Sequence, residues 1–147
     1  MKCTVDASVL AAAFSAGDEH HAEARKFIEE CVKRGVRLNA PLLAVTESAA
    51  AVARHYRGTA KGEVVRLRVL AIPRLRLTAI TTEVCDRAAR VACRYFLRAA
   101  DAFYTELAQR TATELVTLDG EMLDRAPAAV RTLRPSAWLT RHIKDTD

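Results

Sequence analysis

The sequence predicts one α/β domain, with a mostly parallel sheet covered by helices on both faces. Short β-prone runs alternate with longer segments of helical periodicity, and this alternation is typical of βα units. The 147 residues are enough for one hydrophobic core, and no repeat or linker divides them. We predict a domain over residues 1–135 and a C-terminal tail over residues 136–147, in which Trp138 is the aromatic anchor.

In the first half of the chain, residues typical of helix starts and ends support the periodicity. Asp18 is a common helix cap, Pro41 suits a first helical turn and Gly35 suits a helix end. The predicted elements are a strand over residues 2–5, helices over 7–14 and 18–35, a strand over 36–40 and a helix over 41–56.

The second half continues the alternation and contains a row of arginines. Pro73 stops one helix and Thr82 can cap the next. The predicted elements are a helix over residues 63–70, a strand over 75–79, a helix from 82 to just before 101, a helix over 101–110, and strands over 114–118 and 130–133. The arginines on one face of the long helix are Arg87, Arg90, Arg94 and Arg98. This face is either solvated or contacts a phosphate backbone or an acidic partner.

Composition narrows the partners without identifying one. The net charge is +5, and most of the 23 basic residues are arginines, which form two-donor contacts to phosphate. A GC-rich genome would also raise the arginine content. No apolar run of about 18 residues is free of charge, and Asp6 interrupts the apolar N-terminal segment. We therefore expect a cytoplasmic protein that does not contact a membrane.

The cysteines are expected to be structural. They form no CxxC pair and lie in apolar periodic segments, where cysteine behaves as a small hydrophobic residue. The four are Cys3, Cys31, Cys85 and Cys93. A zinc site is therefore not expected.

Four acidic residues stand where a parallel sheet would bring them together. Asp6 and Asp119 directly follow β-prone runs, and the carboxyl ends of parallel strands meet at one edge of the sheet. Asp101 begins a helix, and Glu47 lies one to two turns into another. Taken singly, Asp101 and Asp119 are equally well explained as helix caps or turn residues.

Clustered carboxylates repel each other unless a cation is present. Oxygen ligands with open positions suit Mg²⁺ or Mn²⁺, and Mg²⁺ keeps several waters and often binds a substrate phosphate. The four acids together therefore predict one divalent-metal site. Arg98, just before Asp101, is our candidate for a substrate contact.

The short sequence motifs around the four acids resemble those of a known family. The fragments are VDASVL at 5–10, TES at 46–48, ADAFY at 100–104 and TLD at 117–119. In this order and at this length they resemble the PIN-domain nucleases, above all the VapC-type toxins of bacterial toxin–antitoxin pairs. The resemblance covers roughly residues 1–135, and no departure occurs at the four acids.

The resemblance implies a five-stranded parallel sheet and Mg²⁺- or Mn²⁺-dependent endonucleolytic cleavage of RNA. Asp6, Asp101 and Asp119 would hold the metal, and Glu47 would complete the catalytic set. Ser8 and Thr117 match the polar supporting residues of the family. The resemblance also implies a homodimer, with residues 58–73 expected to help form its contact, and inhibition by a cognate antitoxin protein.

Two other enzyme classes with an Asp after the first strand do not fit the residues around Asp6. A haloacid-dehalogenase-like phosphatase needs a second Asp two residues after the first, where Ser8 stands, and a response-regulator receiver needs an acidic neighbour that Asp6 lacks. Two alternatives stay open: an RNA-processing PIN nuclease that is not a toxin, and a catalytically silent RNA-binding or scaffold protein of the same fold.

Overall fold

Five parallel strands form one sheet in the computed structural model, which describes residues 1–143. The strands are β1 (Lys2–Val5), β2 (Arg37–Pro41), β3 (Leu75–Thr78), β4 (Leu115–Val116) and β5 (Thr132–Leu133). Their spatial order is β3-β2-β1-β4-β5, and every neighbouring pair is parallel. The predicted fold class, a single α/β domain with a five-stranded parallel sheet, is confirmed.

Helices connect the strands. They are α1 (Ala7–Ala13), α2 (His21–Lys33), α3 (Leu43–Tyr56), α4 (Thr59–Leu70), α5 (Thr82–Tyr95), α6 (Ala99–Thr111), α7 (Gly120–Arg125) and α8 (Pro135–His142), with a 3-10 turn over Ala126–Ala128. Helix α1 packs against α2 and α3, whereas α6 packs against β1 and β2. Over residues 1–143, none of the helices has the length and apolar character needed to cross a membrane.

The centre of the sheet is buried on both faces. Cys3, Thr4 and Val5 of β1 and both residues of β4 are fully buried, as expected for inner strands of a parallel sheet. The hydroxyl of Thr4 is hydrogen-bonded to that of Thr113, 2.7 Å away, so this buried polar group is satisfied. Because β1 and β4 are neighbours, the residues that follow them, Asp6 and Thr117, emerge side by side.

Part of the predicted tail is helical. Residues 136–142 lie in α8, and Trp138 is fully buried with its ring edge-to-face against Phe27 of α2, at a centroid distance of 5.4 Å. Residues 144–147 of the predicted tail lie outside the described residues. The domain boundary at residue 135 stays a prediction.

Two helix caps differ from the prediction. Helix α2 begins after His20 and has no side-chain cap, so Asp18 does not cap it. Thr81 rather than Thr82 caps α5.

The predictions for Pro41 and for two cysteines were also wrong. Pro41 is the last residue of β2, paired with Thr78, rather than the first turn of a helix. Cys85 and Cys93 are exposed, because α5 turns Val84 and Ala88 inward and Cys85 lies one residue, about 100°, off that face. Cys3 and Cys31 are buried as expected.

The row of arginines on α5 is shorter than predicted, because Arg98 lies outside this helix. Helix α5 ends at Tyr95, and Phe96 has a φ of 56°, which turns the chain away. Arg98 therefore precedes α6 as its N-cap and is separated from the face of α5 that carries the other arginines. This turn directs Arg98 toward the acidic residues.

Candidate active site

Asp6 is the most buried of the four acids. It follows β1, caps α1 and is 6% exposed. Three donors approach its Oδ2 atom: the Ser8 backbone N–H at 3.3 Å, the Ser8 hydroxyl at 2.5 Å and the Thr117 hydroxyl at 2.9 Å. Burial raises the pKa of Asp6, these hydrogen bonds lower it in part, and the charge of Asp101 raises it further. The carboxylate is thus firmly oriented but costly to ionise.

Ser8 and Thr117 connect the segments after β1 and β4, which carry Asp6 and Asp119. The Ser8 hydroxyl accepts a hydrogen bond from the Leu118 backbone N–H at 3.0 Å, and the Thr117 hydroxyl accepts one from the Asp119 backbone N–H at 3.0 Å. Both side chains therefore bond to the Asp6 carboxylate and to the chain that follows β4. They lie where the sequence placed them, beside the acids.

Glu47 comes from α3 and is held by a tyrosine that the sequence reasoning missed. The Tyr104 hydroxyl donates a hydrogen bond to Glu47 Oε2. Burial raises the pKa of Glu47, the Tyr104 hydrogen bond lowers it in part, and the charges of Asp6 and Asp101 raise it. Tyr104 is three residues after Asp101 on α6 and is 1% exposed. A buried tyrosine needs a partner for its hydroxyl, and that requirement was the available signal.

Asp101 and Asp119 face each other across Arg98. Asp101 lies in the first turn of α6, and Asp119 caps α7 by accepting the Met122 backbone N–H on Oδ1 at 3.1 Å. Arg98 Nε donates to Asp101 Oδ2 at 2.7 Å, and Arg98 Nη2 donates to Asp119 Oδ2 at 2.8 Å. One guanidinium therefore bridges both carboxylates.

The two bridged carboxylates respond differently to this environment. Burial raises the pKa of Asp101 despite the hydrogen bond from Arg98, and the charge of Asp119 adds to the increase. Burial also raises the pKa of Asp119, but the hydrogen bonds from Arg98 and from the Met122 backbone outweigh it, so this pKa is lowered. Asp119 is thus the more readily ionised of the pair.

All four acids line one open cleft with a volume of about 510 Å³. Ser8, Arg98 and Arg54 also line it, and small alanines from α1 and α3 complete its wall. Arg54 is seven residues after Glu47, on the same face of α3, and the sequence reasoning missed it. Arg54 therefore adds a second positive charge to the cleft that contains the four acids.

The acids do not form a closed coordination cage. Within residues 1–143, no three His, Cys, Asp or Glu side chains lie close enough together to hold a metal ion as they stand. The donor set nevertheless fits a hard divalent cation, because it consists of carboxylate oxygens from four separate segments. A positive charge already lies among them, on Arg98.

The fold and cleft define a class: parallel α/β domains whose central strands end in clustered carboxylates. The family model of the PIN domain matches residues 3–128. The chain belongs to the PIN domain family, and the predicted resemblance is confirmed. Membership of this family supports a hydrolytic nuclease, a class that generally uses divalent metal ions.

Solved structures with this fold include toxins and toxin–antitoxin complexes. VapC20 of Mycobacterium tuberculosis, a toxin that cleaves the sarcin–ricin loop, is 18% identical over 90% of this chain and 99% of its own, with a TM-score of 0.73. PAE2754 of Pyrobaculum aerophilum is 23% identical over 96% and 94%, with a TM-score of 0.69. VapBC2 of Rickettsia felis, bound to promoter DNA, is 11% identical over 91% and 98%, with a TM-score of 0.67. No curated protein matches the sequence.

Proposed function

We propose that this chain is a Mg²⁺- or Mn²⁺-dependent endoribonuclease and the toxin of a type II toxin–antitoxin pair. One observation carries the enzymatic part: four carboxylates from α1, α3, α6 and α7 or their caps line a single cleft in a PIN domain. The toxin part is supported by similar structures, among which are VapC20 and VapBC2.

In the proposed site, Asp6, Asp101 and Asp119 would hold the cation. A bound divalent cation lowers the pKa of water and neutralises charge that develops on a phosphate. Glu47 positions the attacking water, and the hydrogen bond from Tyr104 fixes the direction of its carboxylate.

The remaining polar residues of the cleft support attack on an RNA phosphodiester. Ser8 and Thr117 orient Asp6 through its Oδ2 atom, and Arg98 contacts a phosphate of the substrate. Water attacks the phosphorus, the bond from phosphorus to the 3′-oxygen breaks, and the leaving 3′-oxygen takes up a proton. The products therefore carry a 5′-phosphate and a 3′-hydroxyl.

The decisive experiment compares Asp6→Asn with Asp86→Asn in RNA cleavage with Mn²⁺, with Mg²⁺ and with a chelator. Asp86 is an exposed acid on α5 that pairs with Arg90 and is not among the cleft residues, so it is a matched control. We expect Asp6→Asn to lose roughly a hundredfold or more in rate and Asp86→Asn to keep it. Cleavage by folded Asp6→Asn at the wild-type rate would show that the site is wrongly assigned.

The two alternatives are separated by growth and by metal binding. A toxin arrests growth when it is expressed alone, and Asp6→Asn relieves the arrest. An RNA-processing nuclease would cleave RNA in vitro without arresting growth, whereas a silent scaffold would show no melting shift with Mn²⁺.

We also propose a homodimer and a cognate antitoxin as partners. Within the described residues, α4 exposes Val64, Leu67 and Leu70, at 47%, 56% and 50%, and exposed apolar clusters of this kind mark protein contacts. Light scattering of the wild type and of Leu67→Glu tests the dimer, which we expect the variant to dissociate. A short neighbouring gene for a DNA-binding protein would support the antitoxin.

A further inference from the structure

We infer that the Arg98 guanidinium stands in for the divalent cation between Asp101 and Asp119 and releases both carboxylates when the cation binds. The inference rests on the proposed metal site. The sequence had indicated only a substrate contact for Arg98. In the metal-free cleft its side chain bonds Asp101 and Asp119, whereas in the metal-bound cleft it does not.

The bonds of Asp119 explain why Arg98 and a cation compete. Its Oδ1 atom accepts the Met122 backbone N–H, which caps α7. Oδ2 is the oxygen left for a ligand without loss of that cap, and Arg98 Nη2 holds it at 2.8 Å. A divalent cation at Oδ2 would stand beside the positive guanidinium, and like charges at this distance repel. The two states therefore exclude each other.

The same guanidinium holds Asp101. Arg98 Nε is 2.7 Å from Asp101 Oδ2, and Asp101 is largely buried. A buried carboxylate without a cation is costly, so the metal-free cleft needs a substitute charge. Arg54 also lines the cleft, but within residues 1–143 it makes no ion pair with an acid. Arg98 thus supplies the charge that the cation later provides.

Arg98 has room to move and a second partner nearby. Its side chain is 52% exposed, and Nε lies 3.2 Å from Glu121 Oε2, itself 52% exposed. A guanidinium displaced from Asp101 and Asp119 can stay at the rim of the cleft, where its planar donors suit a phosphate. Metal binding would in this way free the residue that contacts the substrate.

The test measures Mn²⁺ affinity by calorimetry for the wild type, Arg98→Gln and Arg54→Gln. Both variants remove one positive charge from the same cleft, but only Arg98→Gln removes bonds to the acids. We expect Arg98→Gln to bind Mn²⁺ on the order of tenfold more tightly and Arg54→Gln to change by less than about threefold, through screened long-range charge alone. Equal changes in the two variants would overturn the inference.

Thermal unfolding provides a second readout. Without metal, Arg98→Gln should melt below the wild type, and saturating Mn²⁺ should close the gap. Arg98→Lys keeps the charge but loses the two-donor fork. We therefore expect its affinity for Mn²⁺ to lie between those of the wild type and Arg98→Gln. A gap that persists unchanged in saturating Mn²⁺ would mean a purely structural role and would contradict the inference.

Failure of the inference and failure of the proposed function give different results. If the wild type binds Mn²⁺ and cleaves RNA while Arg98→Gln binds no more tightly, only the role of Arg98 is wrong. If neither the wild type nor Arg98→Gln binds Mn²⁺, and no RNA is cleaved, the metal site and this inference are both wrong.

Discussion

At the residue scale, Thr117 orders the candidate site with a single hydroxyl. It donates to Asp6 Oδ2 at 2.9 Å and accepts the Asp119 backbone N–H at 3.0 Å. It is fully buried, so water cannot replace either partner. A substitution that keeps the shape of the side chain but removes its oxygen therefore measures how much these two hydrogen bonds contribute to the free energy of unfolding.

We expect Thr117→Val to lower the free energy of unfolding by about 2 kcal/mol, because a buried carboxylate and a buried N–H both lose a partner. The rate of RNA cleavage by Thr117→Val should also fall, because Asp6 loses a hydrogen bond that orients it. Thr132→Val is the control: this strand residue is 9% exposed and bonds only the Val130 carbonyl, so we expect a loss of about 1 kcal/mol or less. Equal losses in urea unfolding would contradict the role given to Thr117.

Tyr104→Phe tests the orientation of Glu47 through pH dependence. The Tyr104 hydrogen bond lowers the pKa of Glu47, while burial raises it. Loss of the hydroxyl should therefore raise this pKa further, and the acidic limb of the kcat/KM profile for RNA cleavage should move to higher pH. An acidic limb that stays in place or moves to lower pH would exclude Glu47 as the group that must be ionised.

At the element scale, α2 and α8 are joined by a polar cluster around Glu23. Arg134 Nη2 donates to Glu23 Oε2 at 2.8 Å, and the Ser136 hydroxyl and backbone N–H donate to Oε1. Burial alone would raise the pKa of Glu23, but these hydrogen bonds lower it from 4.5 to about 2. The cluster fixes the start of α8 beside α2.

We expect Glu23→Gln to lower the free energy of unfolding by about 1 kcal/mol at neutral pH, a value discounted for partial exposure. Because the folded-state pKa is depressed, this contribution is complete above pH 4.5 and disappears as the pH falls toward about 2. The difference from wild type should vanish over that window. Glu29→Gln on the same helix, whose partner Arg25 is exposed, should change stability much less than Glu23→Gln. A difference between Glu23→Gln and wild type that does not depend on pH would contradict the pairing.

The sequence predicted the elements whose signals are local. The strand end before Asp6 and the helix end near Gly35 follow from adjacent residues. The prediction was less exact at β4, which ends at Val116, three residues before Asp119. The break after Tyr95 did not, because Phe96 adopts a left-handed conformation (φ 56°) that sequence rules expect of glycine. The position of Arg98 depends on that break and was therefore only partly foreseen.

Helix α8 was missed for a different reason. Burial of Trp138 against Phe27, more than a hundred residues away in the chain, stabilises α8. A segment of eight residues is too short for its periodicity to predict a helix. Tyr104 was missed in the same way, since its partner Glu47 lies on another helix. Tertiary contacts of single residues are not encoded in the local pattern.

At the scale of the whole molecule, α8 covers one side of α2. We expect a chain ending at residue 134 to melt well below a chain ending at residue 143, since the shorter chain loses Trp138 and exposes Phe27. Removal of a buried large aromatic side chain costs about 3 to 5 kcal/mol. Equal melting of the two truncated chains would support a domain that ends at residue 135.

The contact between β1 and β4 determines when the cleft can exist. Thr117 and Asp6 are separated by 111 residues, yet the Thr117 hydroxyl donates a hydrogen bond to the Asp6 carboxylate at the base of the cleft. During synthesis, Asp6 leaves the ribosome long before Thr117 and Asp119, and contacts between distant segments form late in folding. The four acids of a nascent chain therefore line one cleft only after β4 has emerged and docked beside β1.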